Sequence, residues 1–166
     1  MTIAEIMEKM IVFSKGNIHD IDHLSRVWTF AKTIGELERV DKDTLFIIEI
    51  AAITHDIACP LCREKYGNTN GRHQEKEGVA LVKSFLADTG LTDMQIERVA
   101  YLVGHHHTFQ NIDGIDHQIL IEADYIVNAC ENGYSKKNIS GFMNTVMKTD
   151  TGKRLCRQMF CEDNGI

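Results

Sequence analysis

Apolar residues recur at intervals of three and four along nearly the whole chain, the period of a helix with one buried face. Ile3, Ile6, Met7, Met10, Ile11 and Phe13 form a first stripe, which Gly16-Asn17 ends. Leu24, Val27, Trp28, Ala31, Ile34 and Leu37 form a second, whose start is expected near Asp20, a good N-cap. A third helix, capped by Asp41 or Asp43, has a different character. From Ile47 to Ile53 only Glu49 carries a charge, so burial is expected around most of its circumference. Pro60 is expected to stop it, and 59–71 reads as a loop broken by Gly67, Asn68, Thr69, Asn70 and Gly71. Val79, Leu81, Val82, Phe85 and Leu86 mark a fourth helix closing at Gly90. Thr92 caps a fifth, with Ile96, Val99, Ala100 and Val103 inward, which runs out in Gly104-His105-His106-His107. A sixth begins near Asp116 and turns Ile119, Leu120, Ala123, Ile126, Val127 and Cys130 inward until Gly133. Segments 135–148 and 152–160 read as two short closing helices. Strand signals are nearly absent, so the fold class is all-α.

With 166 residues, one proline and no repeat, the chain reads as a single domain. Its 24 acidic residues outnumber its 18 basic ones, for a net charge of −6, and no basic run is long enough to line a duplex, which argues against double-stranded nucleic acid as a partner. No apolar run of the roughly 20 residues needed to span a bilayer is evident, so no membrane partner is expected. The N-terminal stretch alternates apolar residues with Glu and Lys, unlike a secretory signal, and the expected compartment is the cytoplasm. Nothing in the sequence sets the oligomeric state. Five cysteines is an odd number, and reduced thiols suit a chain with this much core. Cys59-Pro60-Leu61-Cys62 has redox or zinc spacing but lacks a strand–helix context, and Cys156 and Cys161 lack a knuckle. A turn with small thiols packed nearby is the plainer reading.

The candidate chemistry starts where the buried helix ends, at Ala51-Ala52-Ile53-Thr54-His55-Asp56-Ile57-Ala58. Burying an imidazole and a carboxylate together is costly unless something pairs them, about 2–7 kcal/mol for one uncompensated polar group and more for a charge. A cation partners both at once. A plain His–Asp hydrogen bond would also serve, so the dipeptide alone decides nothing. Two other helices carry similar residues. His23 lies on the face of Val27, Phe30 and Ile34, and Asp124 lies between Leu120 and Val127. Two imidazoles and two carboxylates suit a divalent transition metal such as Fe, Mn, Co, Ni or Zn.

The order His … His-Asp … Asp on successive helices resembles the HD-domain metal-dependent phosphohydrolases. The echoes are His23-Leu24-Ser25-Arg26-Val27, the run ending His55-Asp56-Ile57, Val103-Gly104-His105-His106-His107 and Glu122-Ala123-Asp124. The likeness covers about residues 20–130, leaving 131–166 as closing helices. It implies an all-α single-domain bundle with His23, His55, Asp56 and Asp124 as metal ligands. It also implies an enzyme that cleaves a phosphate ester or anhydride of a small phosphorylated substrate, a nucleotide by preference, with metal-activated water. Asp56 is the ligand expected to touch that water. Arg26, three residues after His23, is on the same face and could clamp phosphate. Some branches of the family bind a second metal through further histidines. The positional matches here are His73 and one of His105 or His106, with the face of Ile96, Val99 and Val103 selecting His106. One or two ions per chain are therefore expected; otherwise these histidines would touch substrate or solvent.

Lys148, Lys153 and Arg154 surround Thr149 and Gly152, a helix start that suits an anion and resembles a Thr-x-x-Gly element of small family members. Glu122, two residues from Asp124, is expected to face away. His19 and His23 have zincin spacing, but Asp20 stands where a zincin has Glu, so His19 is expected at the solvent side or the mouth of the cleft. Departures narrow the subfamily. Cys59 and Pro60 stand where alarmone hydrolases carry acids, position 59 lacks the acid of the 5′-nucleotidase branch, and Thr108-Phe109-Gln110 replaces a Gly-Tyr-Pro. The general look is of small stand-alone members acting on nucleotides or dinucleoside polyphosphates. Two other outcomes fit the same residues: a catalytically degenerate nucleotide or metal sensor, and a di-iron oxygenase-type relative.

Overall fold

The computed structural model describes residues 1–161, which form nine α-helices and no strand. They are α1 (Ile3–Phe13), α2 (Ile18–Leu37), α3 (Lys42–Thr54), α4 (Cys59–Tyr66), α5 (Gly71–Leu86), α6 (Asp93–Val103), α7 (Gly114–Glu131), α8 (Lys136–Thr145) and α9 (Asp150–Phe160). Most starts are set by local chemistry. Thr2 and Thr92 accept from N–H groups one turn on while Glu5 and Gln95 reach back, two capping boxes. Asn17, Asp41, Asn70, Ser135 and Thr149 cap five others with side-chain oxygens.

Three expectations need correction. The second helix starts at Ile18, because Asn17 is the cap and accepts from the Asp20 N–H. The expected loop at 59–71 is mostly α4. Pro60 lies in its first turn, where a missing N–H loses no hydrogen bond, and Gly67 ends it with φ of 68°. The third concerns the membrane. By length and composition Lys42–Tyr66 could span a bilayer, but 72% of its most apolar window is buried inside the protein, as the core helix of a folded body would be.

α3 lies at the centre, packed on α1, α2, α6 and α7. Every residue from Ile47 to Thr54 is buried, including Glu49, whose Oε2 accepts from Trp28 Nε1 at 2.8 Å and from Lys32 Nζ at 3.3 Å. α7 is the second central helix, buried without a break from Asp116 to Val127. Ile48, Ile50, Ile53, Ile119 and Leu120 are fully enclosed between them. Each contributes about 1.5–3 kcal/mol by leaving water. α2 packs on both α3 and α7, so the three helices bearing His23, His55-Asp56 and Asp124 form one mutually packed unit. α5 and α6 pair beside it and carry the His105–His107 turn.

Candidate metal centre

His23, His55, Asp56 and Asp124 meet at one point. His23 Nε2 lies 3.2 Å from His55 Nε2, 3.2 Å from Asp124 Oδ1 and 3.5 Å from Asp56 Oδ2. His55 Nε2 lies 3.5 Å from Asp124 Oδ1 and 3.6 Å from Asp56 Oδ1. His106 joins from the end of α6, its Nε2 3.4 Å from Asp56 Oδ1.

The other ring nitrogens define the tautomers. His55 Nδ1 donates to Ala52 O and His106 Nδ1 to Val103 O, each at 2.8 Å, and His23 Nδ1 donates to Glu131 Oε2 at 2.9 Å. With Nδ1 carrying the proton, each neutral ring turns the lone pair of Nε2 toward the two carboxylates. Lone pairs facing anions in a buried site repel, and the arrangement is settled either by extra protons or by a cation. The proton affinities show the strength of that demand. Burial pulls His23 down, but the hydrogen bond to Asp124 and the charges of Asp56 and Asp124 outweigh it and raise its pKa to about 9. Burial raises Asp56, yet the neighbouring His55 and His106 hold it far below the usual carboxylate range, and His23 and His55 do the same to Asp124.

Three buried side-chain atoms have no hydrogen-bond partner among the described residues: Gln74 Oε1, His106 Nε2 and His107 Nε2. His106 Nε2 meets Asp56 without hydrogen-bond geometry. Gln74 and His107 line the same cavity of about 300 Å³ as His23, Asp56 and Asp124. The donor atoms of His23, His55 and Asp56 lie within 4.8 Å of one another, as do those of Asp56, His106 and His107. Two imidazole–carboxylate sets sharing Asp56 fit one or two borderline divalent ions. The cavity wall also carries Asp20, Asp56, Asp124 and Glu131 against a single guanidinium, Arg63, which is itself paired with Asp20.

The remaining expected residues fall elsewhere. Arg26 donates to Glu131 Oε1 at 3.2 Å and lines a separate recess, so it braces Glu131 rather than facing the ligands. His73 stacks on Tyr66 with ring centres 3.9 Å apart and does not line the cavity. His105 stacks on Tyr101, its Nδ1 donating to Tyr101 O. His19 is largely exposed at the cavity mouth, as expected. The start of α9 does hold an anion, but the anions are the protein's own. Glu122 accepts from the N–H groups of Lys148 and Thr149 and from the Thr149 hydroxyl, and Glu38 accepts from the Thr151 N–H at 2.7 Å. A Cβ on Gly152 would meet Glu122 Oε2 at 2.0 Å, so only glycine fits there. The amides that Lys148, Lys153 and Arg154 surround are thus already taken. Cys59 and Cys62 are buried and free, and burial together with the charge of Asp56 pushes the Cys59 thiol well up.

Sequence reasoning missed His107, Gln74, Asn128 and Glu131. The last two were readable, because Asn128 and Glu131 continue the face of Asp124 at four and seven residues. Asn128 Nδ2 donates to Asp124 Oδ1 at 2.8 Å. Gln74 is one of the buried positions Gln74, Gly78, Val82 and Phe85 on α5, whereas His73 is off that stripe. His107 had no periodic signal, since α6 ends at Val103 and adjacent residues of a turn can converge. Its ring lies against Gly71, where a Cβ would meet it at 2.8 Å, and Glu75 accepts from its backbone N–H at 3.1 Å. Burial and the neighbouring His106 lower its pKa to about 4.

The sequence profile of the HD domain family matches residues 20–129. No match was found among curated proteins. Among solved structures, a predicted HD superfamily hydrolase from an uncultured Thermotogales bacterium aligns over 93% of this chain and 83% of its own, with TM-score 0.68 and 22% identity. The Lin1889 protein of Listeria innocua aligns over 95% and 89%, with TM-score 0.61 and 17% identity. Bacillus subtilis YpgQ in complex with ADP aligns over 95% and 89%, with TM-score 0.56 and 24% identity. At these identities the likeness is one of fold.

Proposed function

Because this chain belongs to the HD-domain family, we propose that it is a metal-dependent phosphohydrolase acting on a small phosphorylated compound, by preference a nucleotide. The observation that carries the proposal is the meeting of His23 and His55 lone pairs with Asp56 and Asp124 at 3.2–3.6 Å inside the bundle. These four residues are the proposed metal ligands. His106 and His107 are the proposed second set, with Asp56 shared. When bound there, a divalent ion lowers the pKa of a coordinated water toward about 7 and offsets charge on a phosphoryl group.

The chain's own groups do the rest. Glu131 accepts the Nδ1–H of His23, fixing the ring and making Nε2 a better donor, and the Ala52 carbonyl does the same for His55. Asn128 occupies one lone pair of Asp124 Oδ1 and so sets the angle at which that carboxylate points. Asp56, between the two donor sets, is the carboxylate positioned to hold a reacting water. Gln74 Oε1, an acceptor without a partner, is available to orient the same water or a substrate hydroxyl. A nucleotide as substrate is supported by the acidic cavity's need for a cation before phosphate and by the ADP held by YpgQ, a protein of this fold.

Protein purified without chelator or added metal should contain about one or two transition-metal ions per chain. It should release phosphate from a nucleotide panel, and the double variant His55→Ala/Asp56→Ala should release none. Release at the wild-type rate by that variant would reject the mechanism.

A further inference from the structure

A second cavity, of about 460 Å³, opens beside the acidic one and shares His107, Asp124 and Asn128 with it. Its remaining wall has a different chemistry. Tyr125 and Phe142 stack with ring centres 3.5 Å apart, and Phe109 meets Phe142 edge-on at 5.3 Å. Phe109 is 45% exposed, an aromatic ring left at the cavity edge rather than buried. Among the described residues no Lys or Arg lines the cavity, so a phosphate would find no counter-charge there. Two polar edges are open. Asn138 Oδ1 accepts from Tyr125 Oη, which leaves its NH₂ as a donor. Asn128 gives its NH₂ to Asp124, which leaves Oδ1 as an acceptor.

Aromatic faces, with a neutral donor at Asn138 and a neutral acceptor at Asn128 among the polar groups of the wall, in a volume within the usual range of small-ligand pockets, suit a planar nitrogen heterocycle. We infer that this aromatic cavity, walled by Phe109, Tyr125 and Phe142, binds the base of a nucleotide whose phosphates enter the acidic cavity. The inference rests on the phosphohydrolase reading only for the position of the phosphates. His107 and Asn128, common to both cavities, then stand at the junction between base and phosphate.

The test is calorimetric binding to Mn²⁺-loaded protein of two non-hydrolysable probes, the α,β-methylene analogue of ADP and base-free methylenediphosphonate. Wild type should hold the base-bearing probe at least about tenfold more tightly. Phe109→Ala removes an exposed ring, and Thr145→Trp fills the cavity from the exposed end of α8. Either should bring that ratio toward one. Equal affinities in wild type, or a ratio unmoved by both variants, would overturn the assignment even if ADP is hydrolysed. A tenfold preference that both variants erase, without phosphate release from any member of the nucleotide panel, would uphold the cavity and reject the hydrolase reading alone.

Discussion

Glu122 and Asp124 are two buried carboxylates on one helix, two residues apart and pointing opposite ways, and the bundle treats them differently. Glu122 is fully enclosed, and every partner it has is a donor: Gln118 Nε2 at 2.7 Å, the N–H groups of Lys148 and Thr149 at 2.6 and 3.0 Å, and the Thr149 hydroxyl. It has in effect a helix N-terminus as its counter-charge. Asp124 has one neutral donor, Asn128, and otherwise faces imidazole nitrogens that meet it with a lone pair unless they take up an extra proton. Both are costly to bury. One is completed by the chain, and the other is completed only by a proton or a cation. Burial of a charge therefore does not mark a site; the identity of its partners does.

Substitution should separate the two. Asp124→Asn keeps shape and removes charge, and should lower phosphate release on the order of 10³-fold, as steady-state kinetics would show, and weaken metal binding. Glu122→Gln should do the reverse. It should cost about 3 kcal/mol in urea unfolding, because charge-assisted bonds to the start of α9 are lost, while the folded fraction keeps its metal. A loss of metal in Glu122→Gln with normal stability would erase the contrast. Glu131→Gln, which weakens the partner of His23 Nδ1, should reduce metal affinity by about 10–100-fold in competition with a chelator.

A further contrast is one of pH. In chelator-stripped protein His23 has a pKa of about 9, against about 6.5 in an unfolded chain. A raised pKa means the folded state holds the proton more tightly. The resulting stability is fully present below pH 6.5 and is lost as pH climbs from there to about 9. Metal displaces that proton, so unfolding of the loaded protein should lack the decline over the same window. A decline of equal size in both forms would place His23 outside the metal's reach.

Much of this was legible in the sequence, for reasons that differ by element. The stripes of α1, α2, α6 and α7 follow helical period, and His23 and Asp124 lie on them, so their inward direction could be read. Thr92 announced its cap, and Asp41 was one of two candidates, with Asp43, for the cap of α3. α4 could not be read, because a segment of Gly, Asn and Pro around a short polar helix has the composition of a loop. The membrane-like composition of Lys42–Tyr66 is that of a helix surrounded by others, which only tertiary packing reveals. His107 was invisible because convergence within a turn has no period. The anions at the start of α9 were misjudged because Glu38 and Glu122 reach it from distant parts of the chain.

The most direct test of the central claim is the thermal midpoint of chelator-stripped protein at pH 8, with and without Mn²⁺. A cation held between His23, His55, Asp56 and Asp124 stabilises the native state through its binding free energy. Wild type and Glu122→Gln should both gain several degrees on adding Mn²⁺, and Asp124→Asn should gain little. No gain in wild type, or an equal gain in Asp124→Asn, would contradict the account.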